Sequence, residues 1–378
     1  MNICQHFPDC GGCRFQDTPY PEQLAGKEDR IKGLLEEFGI ETELKPINSF
    51  DPWYYRNKME FTFSQEEGEL VCGLHRKAEK RKVFNAKECV IFSEHAGMIL
   101  DCLREFFSTQ APYNTFTHEG FLRHLIIRNT KFTGQFMLGI VTSSQGTMDT
   151  EGLKKKIVSL NEQIPIKSLY WITNDSFGDA VTFQKKELLL GEPFVTEILG
   201  DLQFRIYIDS FFQINSRGIK TLYEKIRQYA HVTGKEKILD LYCGVGSIGL
   251  FLARDVQYVW GVELREEIVQ NAKVNAQLNN IENISFVCTD VRRFLSDSDT
   301  SGIDIMVLNP PRSGLSKKIK RKILRAHPPR IVYSSCNPQT LCEDISDLAS
   351  LYRVDFIEPF DFFPHTPHVE CLTFLERK

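Results

Sequence analysis

Residues 237–253 read K-I-L-D-L-Y-C-G-V-G-S-I-G-L-F-L-A and decide the fold. An apolar run enters a glycine turn at Gly244, Gly246 and Gly249, and a second apolar run of helical length follows. This order predicts a strand, a tight turn and a helix, because glycine permits turn conformations that other residues avoid. The glycines let a ligand approach the backbone, and Asp240 can accept hydrogen bonds at the turn. The stretch predicts an α/β domain.

Three further strand ends extend this pattern. Glu263 ends the next strand, where a carboxylate can bind both ribose hydroxyls of an adenosine-containing cofactor. Asp290 follows the third strand and suits the adenine amino group, and the fourth strand ends in N-P-P-R at Asn309–Arg312. A nicotinamide dinucleotide and S-adenosylmethionine both fit the glycine turn. The last two features favour S-adenosylmethionine, with Gly244 beside it.

A thiol and a carboxylate complete the predicted site. The run I-V-Y-S-S-C-N-P over Ile331–Pro338 predicts a strand that ends at Cys336, at the sheet edge where ligands bind. Addition of its thiolate to C6 of uracil would make C5 nucleophilic enough to take a methyl group. Glu370 is the best candidate base for the C5 proton, with His365 and His368 as weaker alternatives. The competing interpretation makes Cys336 a small core side chain.

The N-terminus carries three clustered cysteines, Cys4, Cys10 and Cys13, in the pattern C-x5-C-G-G-C. Cys89 is the best-placed fourth ligand, and Cys72 is less attractive because it lies in a strand-like run. Four thiolates suit structural zinc or an iron–sulfur cluster, and the residues alone leave both open. The alternative is that these are unligated surface thiols.

The remaining segments predict a separate, strand-rich central unit. Residues 21–38 predict an amphipathic helix, and residues 53–196 predict strands with one helix near 93–108. The basic window 75–87 is either a solvated hairpin edge or a phosphate-binding strip. In the second basic stretch, residues 317–322, an apolar face places Lys317, Lys318, Lys320, Arg321 and Lys322 on the outer surface of a helix.

Composition excludes several classes of protein. The chain of 378 residues has a net charge of −4, so nucleic-acid binding must rest on local patches. Its 11 cysteines are an odd number, which favours metal or catalytic thiols in a reducing compartment over disulfides. No apolar run reaches membrane-spanning length, and the start lacks a signal peptide pattern. We therefore expect a cytoplasmic protein with no membrane contact.

Taken together, these motifs resemble those of the RNA uracil-C5 methyltransferases that carry an iron–sulfur cluster. The shared motifs are C-x5-C-G-G-C-x-F-Q (4–16), F-F-Q-I-N (211–215), D-L-Y-C-G-V-G-S-I-G-L (240–250), L-N-P-P-R-S-G (308–314), Y-S-S-C-N-P-Q-T-L (333–341) and F-D-F-F-P-H-T-P-H-V-E (360–370). They span nearly the whole chain.

The resemblance implies an α/β fold in which a C-terminal class I, Rossmann-like S-adenosylmethionine-dependent domain follows a strand-rich α+β central domain with an N-terminal iron–sulfur motif. It implies these boundaries: motif 1–20, a helix packed on the catalytic domain 21–47, RNA-binding central domain 48–209 and catalytic domain 210–378. It implies a [4Fe–4S] cluster on Cys4, Cys10, Cys13 and Cys89. It implies S-adenosylmethionine contacts from Gln213, Tyr242, Glu263 and Asn309, Cys336 as nucleophile, and Glu370 as base.

The expected target is a uridine flipped out of 23S ribosomal RNA. The start at the cysteine motif and Asn309 before P-P-R are similar to the short branch of the family that methylates uridine 747. Another ribosomal site or a transfer RNA is the alternative, and no obligate protein partner is expected. Phe211 and Phe212 could wedge near bases, with at least one in the core. An adenine amino-methyltransferase and a non-catalytic iron–sulfur RNA-binding module are the rival classes.

Overall fold

The computed structural model describes residues 3–378, so Met1 and Asn2 of the predicted 1–20 motif lie outside the described residues. A cysteine-containing segment leads into helix α1 (Tyr20–Glu37) and the short strand β1 (Glu43–Leu44). The central unit then contains β2 (Lys58–Glu66), β3 (Glu69–Gly73), α2 (Ala96–Phe106), β4 (Leu122–Asn129), β5 (Phe136–Thr142), α3 (Thr150–Leu160), β6 (Ile166–Thr173) and β7 (Lys185–Gly191). A hairpin of β8 (Phe194–Leu199) and β9 (Leu202–Tyr207) follows.

The C-terminal unit alternates helices and strands, as the glycine-turn stretch predicts. It comprises α4 (Ser216–Tyr229), β10 (Lys237–Leu241), α5 (Ser247–Ala253), β11 (Tyr258–Glu263), α6 (Glu266–Leu278), β12 (Ile284–Cys288), α7 (Val291–Asp297), β13 (Ile305–Leu308), α8 (Lys317–Ala326), β14 (Arg330–Ser335), α9 (Pro338–Leu348), β15 (Tyr352–Phe360) and β16 (Glu370–Arg377). No described helix is both long and apolar enough to cross a membrane.

Strands of the central unit form a six-stranded sheet in the order β3-β2-β4-β5-β6-β7. Its middle strands β4 and β5 are buried along their whole length, and α2 packs against α3 and β3. The helix predicted near residues 93–108 is α2 (Ala96–Phe106), and α3 is a second helix that was not predicted. Asp149 caps it by accepting from the Gly152 N–H at 2.8 Å, and Leu153, Ile157 and Leu160 form its buried face.

The sheet of the C-terminal unit has eight strands in the order β1-β15-β16-β14-β13-β10-β11-β12. Strands β14, β13, β10, β11 and β12 are parallel, so their carboxyl ends meet at one edge. The chain order reverses between β13 and β10, and ligands of open α/β sheets bind at such a point. Strand β16 runs antiparallel between β14 and β15.

The segment before the central unit lies on the C-terminal unit. Ile31, Leu34 and Leu35 of α1 share a buried core with residues of β10, β14 and α9, and β1 pairs with β15. Lys27 Nζ lies 2.5 Å from Asp361 Oδ1, and both side chains are buried. The chain therefore packs on the C-terminal unit before it enters the central unit and forms the rest of that C-terminal unit after leaving it.

Candidate active site

Strand register brings the predicted nucleophile and base together. β14 ends at Ser335, which pairs with Cys371 of the antiparallel strand β16. Cys336 follows Ser335 and Glu370 precedes Cys371, so the two side chains come from neighbouring positions on adjacent strands. Both line one cavity of about 610 Å³.

Every predicted catalytic and cofactor residue lines that same cavity. They are Gln213, Tyr242, Gly244, Glu263, Asp290, Asn309, Cys336 and Glu370. Most follow from sheet order, because β14, β13, β10, β11 and β12 end beside one another. Gln213 instead comes from the loop between β9 and α4, and its carbonyl oxygen accepts a hydrogen bond of 2.7 Å from Asn57 Nδ2 of the central unit.

The glycine turn opens toward the cavity at one residue and packs tightly at the next two. Gly244 has φ of +55°, and a Cβ built on it would have no heavy atom within 4 Å. At Gly246, with φ of +80°, a Cβ would lie 2.8 Å from the Phe286 ring. At Gly249 it would lie 3.1 Å from Asp240 Oδ2, which accepts from the Gly249 N–H. Gly244 thus exposes backbone to a ligand, and the other two glycines allow helix α5 to approach the sheet.

The two carboxylates of the predicted adenosine site are held by backbone donors. Glu263 Oε1 accepts from the N–H groups of Leu264 and Arg265 at 2.8 and 3.1 Å. Asp290 caps α7, since its Oδ1 accepts from the Arg293 N–H at 3.1 Å. Each carboxylate is therefore fixed at the cavity wall through one oxygen.

Glu370 is buried in a way that suits a base. Its side chain is only 1% exposed, and burial raises its carboxyl pKa to about 7. The Ser334 hydroxyl donates to Glu370 Oε1, which opposes that rise because it favours the carboxylate. A carboxyl with this pKa can exchange a proton near neutral pH.

The thiol of Cys336 is half-buried, and its pKa is raised to about 11 by burial and, in addition, by the nearby Glu370 carboxylate. Arg312 lowers that pKa. The Arg312 carbonyl oxygen accepts from Asn337 Nδ2 and the Thr340 hydroxyl at 3.3 and 3.4 Å, which ties the N-P-P-R loop to the turn after Cys336. Sequence reasoning gave Arg312 no role, although its place next to N-P-P was the available signal.

The two alternative bases lie outside the cavity. His365 contacts Gln23, and its pKa falls to about 4 because of burial. His368 lies 3.0 Å from an Arg312 guanidinium nitrogen, and burial, together with that charge, lowers its pKa to about 4. Neither is placed as Glu370 is.

Phe211 and Phe212, of which at least one was predicted to pack in the core, differ in burial. Phe212 is buried, with its ring centroid 5.9 Å from that of Phe204. Phe211 is 64% exposed and lines the cavity. Core packing therefore occupies one of them and leaves the other free.

Comparison with known proteins identifies the family. Residues 180–378, more than half of the chain, match the family model described as tRNA (uracil-5-)-methyltransferase. The chain belongs to this family. Uncharacterised RNA methyltransferases of Clostridium acetobutylicum and Clostridium tetani are 36% and 37% identical to it over 382 residues, covering 99% of this chain and 84% of each relative.

A solved structure resembles this member of the tRNA (uracil-5-)-methyltransferase family over nearly its full length. It is the Pyrococcus abyssi tRNA (uracil-54, C5)-methyltransferase in complex with S-adenosyl-L-homocysteine, at 31% identity and a TM-score of 0.80. The match covers 97% of this chain and 86% of that one. The predicted enzyme class, an S-adenosylmethionine-dependent RNA uracil-5 methyltransferase with a Rossmann-like catalytic unit, is confirmed at this level.

In this family member the four predicted ligand cysteines line one small cavity. Cys4, Cys10, Cys13 and Cys89 are all buried there, and Cys72 lies elsewhere, in β3. Burial raises the pKa of each of the four thiols, and the other cysteines raise the pKa of Cys13 and Cys89 further. Within residues 3–378, no three His, Cys, Asp or Glu side chains are arranged to hold a metal ion.

One residue of the second basic stretch is not where sequence placed it. Lys317, Lys318 and Arg321 of α8 are exposed as predicted. Lys320 is buried instead, 3.0 Å from Asp344 Oδ1 and 2.5 Å from Asp347 Oδ2. The prediction that Lys320 covers the outer surface is wrong, because α9 supplies carboxylates beneath it.

Proposed function

We propose that this enzyme methylates C5 of a uridine by covalent catalysis, with Cys336 as nucleophile and Glu370 as base. The observation that carries the proposal is the adjacency of these two side chains in one cavity with the glycine turn and Glu263. An adenine amino-methyltransferase would need neither the thiol nor a buried carboxyl with a pKa near 7.

The proposed reaction has three steps. The Cys336 thiolate adds to C6 of uracil, and the resulting enolate attacks the methyl sulfonium through C5. Glu370 then accepts the proton from C5, and the bond between Cys336 and C6 breaks to restore the ring. The thiolate is the nucleophile, but the pKa of the free Cys336 thiol is high. Arg312 lowers that pKa and so favours the thiolate.

S-Adenosylmethionine supplies the methyl group when bound. We assign the ribose hydroxyls to Glu263, the adenine amino group to Asp290, and the backbone approach to Gly244. Gln213, Tyr242 and Asn309 are proposed to contact the remainder of the cofactor. The target uridine must leave its stack to reach Cys336, so we propose that it is flipped into the cavity.

We further propose that Cys4, Cys10, Cys13 and Cys89 hold a [4Fe–4S] cluster. Four buried thiols around one cavity fit such a group, because binding an electropositive cluster would offset the burial of thiolates. Structural zinc is the alternative, since four thiolates suit it as well. Methyl transfer moves no electrons between enzyme and substrate, so the cluster's proposed role is structural.

The proposed substrate is 23S ribosomal RNA at uridine 747, with residues 48–209 as the RNA-binding unit and residues 210–378, together with the helix of segment 21–47, as the catalytic one. The feature that supports it is Asn309 before P-P-R, which is similar to the short branch of the family. Transfer RNA is the second candidate, because the similar Pyrococcus abyssi enzyme is a tRNA (uracil-54, C5)-methyltransferase.

Tritium release tests the chemistry and the substrate together. 23S ribosomal RNA and transfer RNA, each carrying [5-³H]uridine, are incubated with S-adenosylmethionine and either wild-type or Cys336→Ala protein. We expect release from ribosomal RNA by the wild type alone. Release from transfer RNA only would change the substrate and leave the mechanism. Methylation without release would overturn the C5 assignment.

A further inference from the structure

A basic cleft continues from the active-site cavity into the central unit. Its volume is about 930 Å³, and it shares Phe211 and Ile214 with the cavity. Its basic lining residues are Arg14, Arg56, Lys58, His75, Arg76, Lys77, Lys80 and Arg128, and its acidic ones are Glu60, Asp179 and Asp209. The excess of cations suits a phosphate backbone.

Residues 75–83, which we call the basic hairpin, contribute to the lining of the cleft. Several of its basic side chains have no acidic partner within residues 3–378. Arg76 is paired with Asp9 and Glu66, so it is neutralised. Lys80 and Arg81 have no carboxylate within 4.0 Å in the part of the chain that the structure describes, and neither has Lys77. These cations are therefore free to bind phosphates.

One exposed phenylalanine, Phe116, lies beside these cations, and a second, Phe177, packs on His118, two residues further along the chain from Phe116. The Arg81 guanidinium lies 5.0 Å from the ring centroid of Phe116, and the ring of His118 lies 4.6 Å from that of Phe177. Phe116 is 67% exposed and Phe177 is 72% exposed. We call Phe116, Phe177, Lys80 and Arg81 the aromatic platform.

Single exposed phenylalanines are ordinary, but this pair stands out within residues 3–378. Four large apolar side chains there are more than 60% exposed. Two of them, Phe211 and Leu264, line the active-site cavity, and the other two are Phe116 and Phe177. Exposure of this degree thus occurs at the catalytic site and at the platform.

Hydrogen bonds and an ion pair hold the loop that bears Phe177 in place. Arg123 donates hydrogen bonds to the carbonyl oxygens of Asn174 and Ser176 at 2.8 and 2.7 Å, which fixes the loop bearing Phe177. His75 Nε2 lies 3.2 Å from Asp179 Oδ2 and joins that loop to the basic hairpin. The backbone that carries Phe177 is therefore held in place before a ligand binds, which reduces the entropy lost on binding.

We propose that the aromatic platform binds unpaired bases of the RNA substrate, away from the target uridine. The enzyme thereby selects RNAs in which a single-stranded segment can reach the platform while the target uridine occupies the active-site cavity. Aromatic rings interleaved with cations are the elements that hold single strands, the rings through stacking and the cations through phosphates. The proposal rests on the proposed function only in taking RNA as the substrate.

The test compares Phe116→Ala/Phe177→Ala with Phe132→Ala, a control that removes another exposed phenylalanine of the central unit. Dissociation constants and tritium-release kinetics are measured with the full RNA and with a short oligonucleotide that carries the target uridine. On the full RNA we expect about tenfold weaker binding per phenylalanine and unchanged kcat. On the oligonucleotide, which does not reach the platform, the variant should match the wild type.

Unchanged affinity of the double variant for the full RNA would overturn the proposal, and so would an equal loss with Phe132→Ala or on the oligonucleotide. Arg81→Gln should also lower the slope of log affinity against log salt by about 0.7, because one phosphate contact is lost. Binding is measured directly with S-adenosylhomocysteine present. A wild type that binds RNA through the platform but releases no tritium would therefore refute the proposed reaction alone.

Discussion

At the scale of single residues, the proposed chemistry depends on the pair Cys336 and Glu370. In Glu370→Gln the thiol can still add to C6 and the methyl group can still transfer, but the C5 proton has no acceptor. We expect turnover to fall by about a hundredfold or more and a methylated enzyme–RNA adduct to accumulate on denaturing gels. Cys336→Ala should form no adduct. Full turnover by Glu370→Gln would assign the proton to another group.

The raised pKa of Glu370 predicts how activity depends on pH. Only the carboxylate accepts a proton, so turnover should rise with pH around a midpoint of about 7. Ser334→Ala removes the hydroxyl that favours the carboxylate, so its midpoint should move to higher pH. Initial rates of tritium release across this range measure both midpoints. A shift to lower pH would contradict the proposed hydrogen-bond effect.

The same pKa predicts an opposite effect on stability. The folded protein favours the protonated carboxyl, so Glu370 costs stability as pH rises from about 4.5 to about 7. Glu370→Gln removes the buried charge and should raise the free energy of unfolding by about 2–3 kcal/mol at pH 8, with little change at pH 4. Urea denaturation at the two pH values checks this. An equal gain at both would rule out titration as the cause.

Most site residues could be predicted from sequence because they follow strands whose carboxyl ends must meet at one edge. This holds for Glu263, Asp290, Asn309 and Cys336. Arg312 was missed because its effect on the Cys336 thiol depends on how the N-P-P-R loop folds back onto the turn after β14. Such a contact joins separate loops and leaves no periodic signal.

At the scale of elements, α8 offers a charged face and a buried one. Lys317→Glu/Arg321→Glu should weaken RNA binding and lower the slope of log affinity against log salt by about 1.4, if both residues contact phosphates of a single strand. Lys155→Glu/Lys167→Glu carries the same charge change on exposed residues of the central unit and is the control. Binding titrations over a salt series measure the slope. Equal losses in both variants would indicate a general charge effect.

The sequence predicts a helix well where its apolar residues recur with a helical period. It does not predict burial or strand order that depends on partners elsewhere in the fold. The amphipathic character of α1 could be predicted from the sequence, whereas the burial of Lys320 depends on carboxylates of α9, the next helix in the chain. The antiparallel insertion of β16 between β14 and β15 is also invisible to periodicity. It sets Glu370 beside Cys336, so the proximity of the pair needed the fold.

At the scale of the whole molecule, the cysteine segment bears on the loop that precedes Glu370. The N–H groups of Arg14 and Phe15 donate to the His365 carbonyl oxygen at 2.7 and 3.2 Å. The Tyr55 hydroxyl donates to the Pro364 carbonyl oxygen at 3.1 Å. The proposed cluster would thus anchor the segment that holds this loop.

This connection predicts what loss of the cluster does. Cys89→Ser should bind less iron and unfold at lower temperature, because the N-terminal segment loses its link to residue 89. Methylation should persist at a reduced rate, since Cys336 and Glu370 remain, and the rate of the wild type should not depend on redox potential. Cys102→Ser, a half-buried thiol of α2 outside the cysteine cavity, is the control and should keep wild-type iron. Iron content, thermal unfolding and tritium release are measured on the same samples. A wild-type rate that follows the redox potential would refute the structural role, whereas unchanged stability of an iron-free Cys89→Ser protein would show that the cluster anchors nothing.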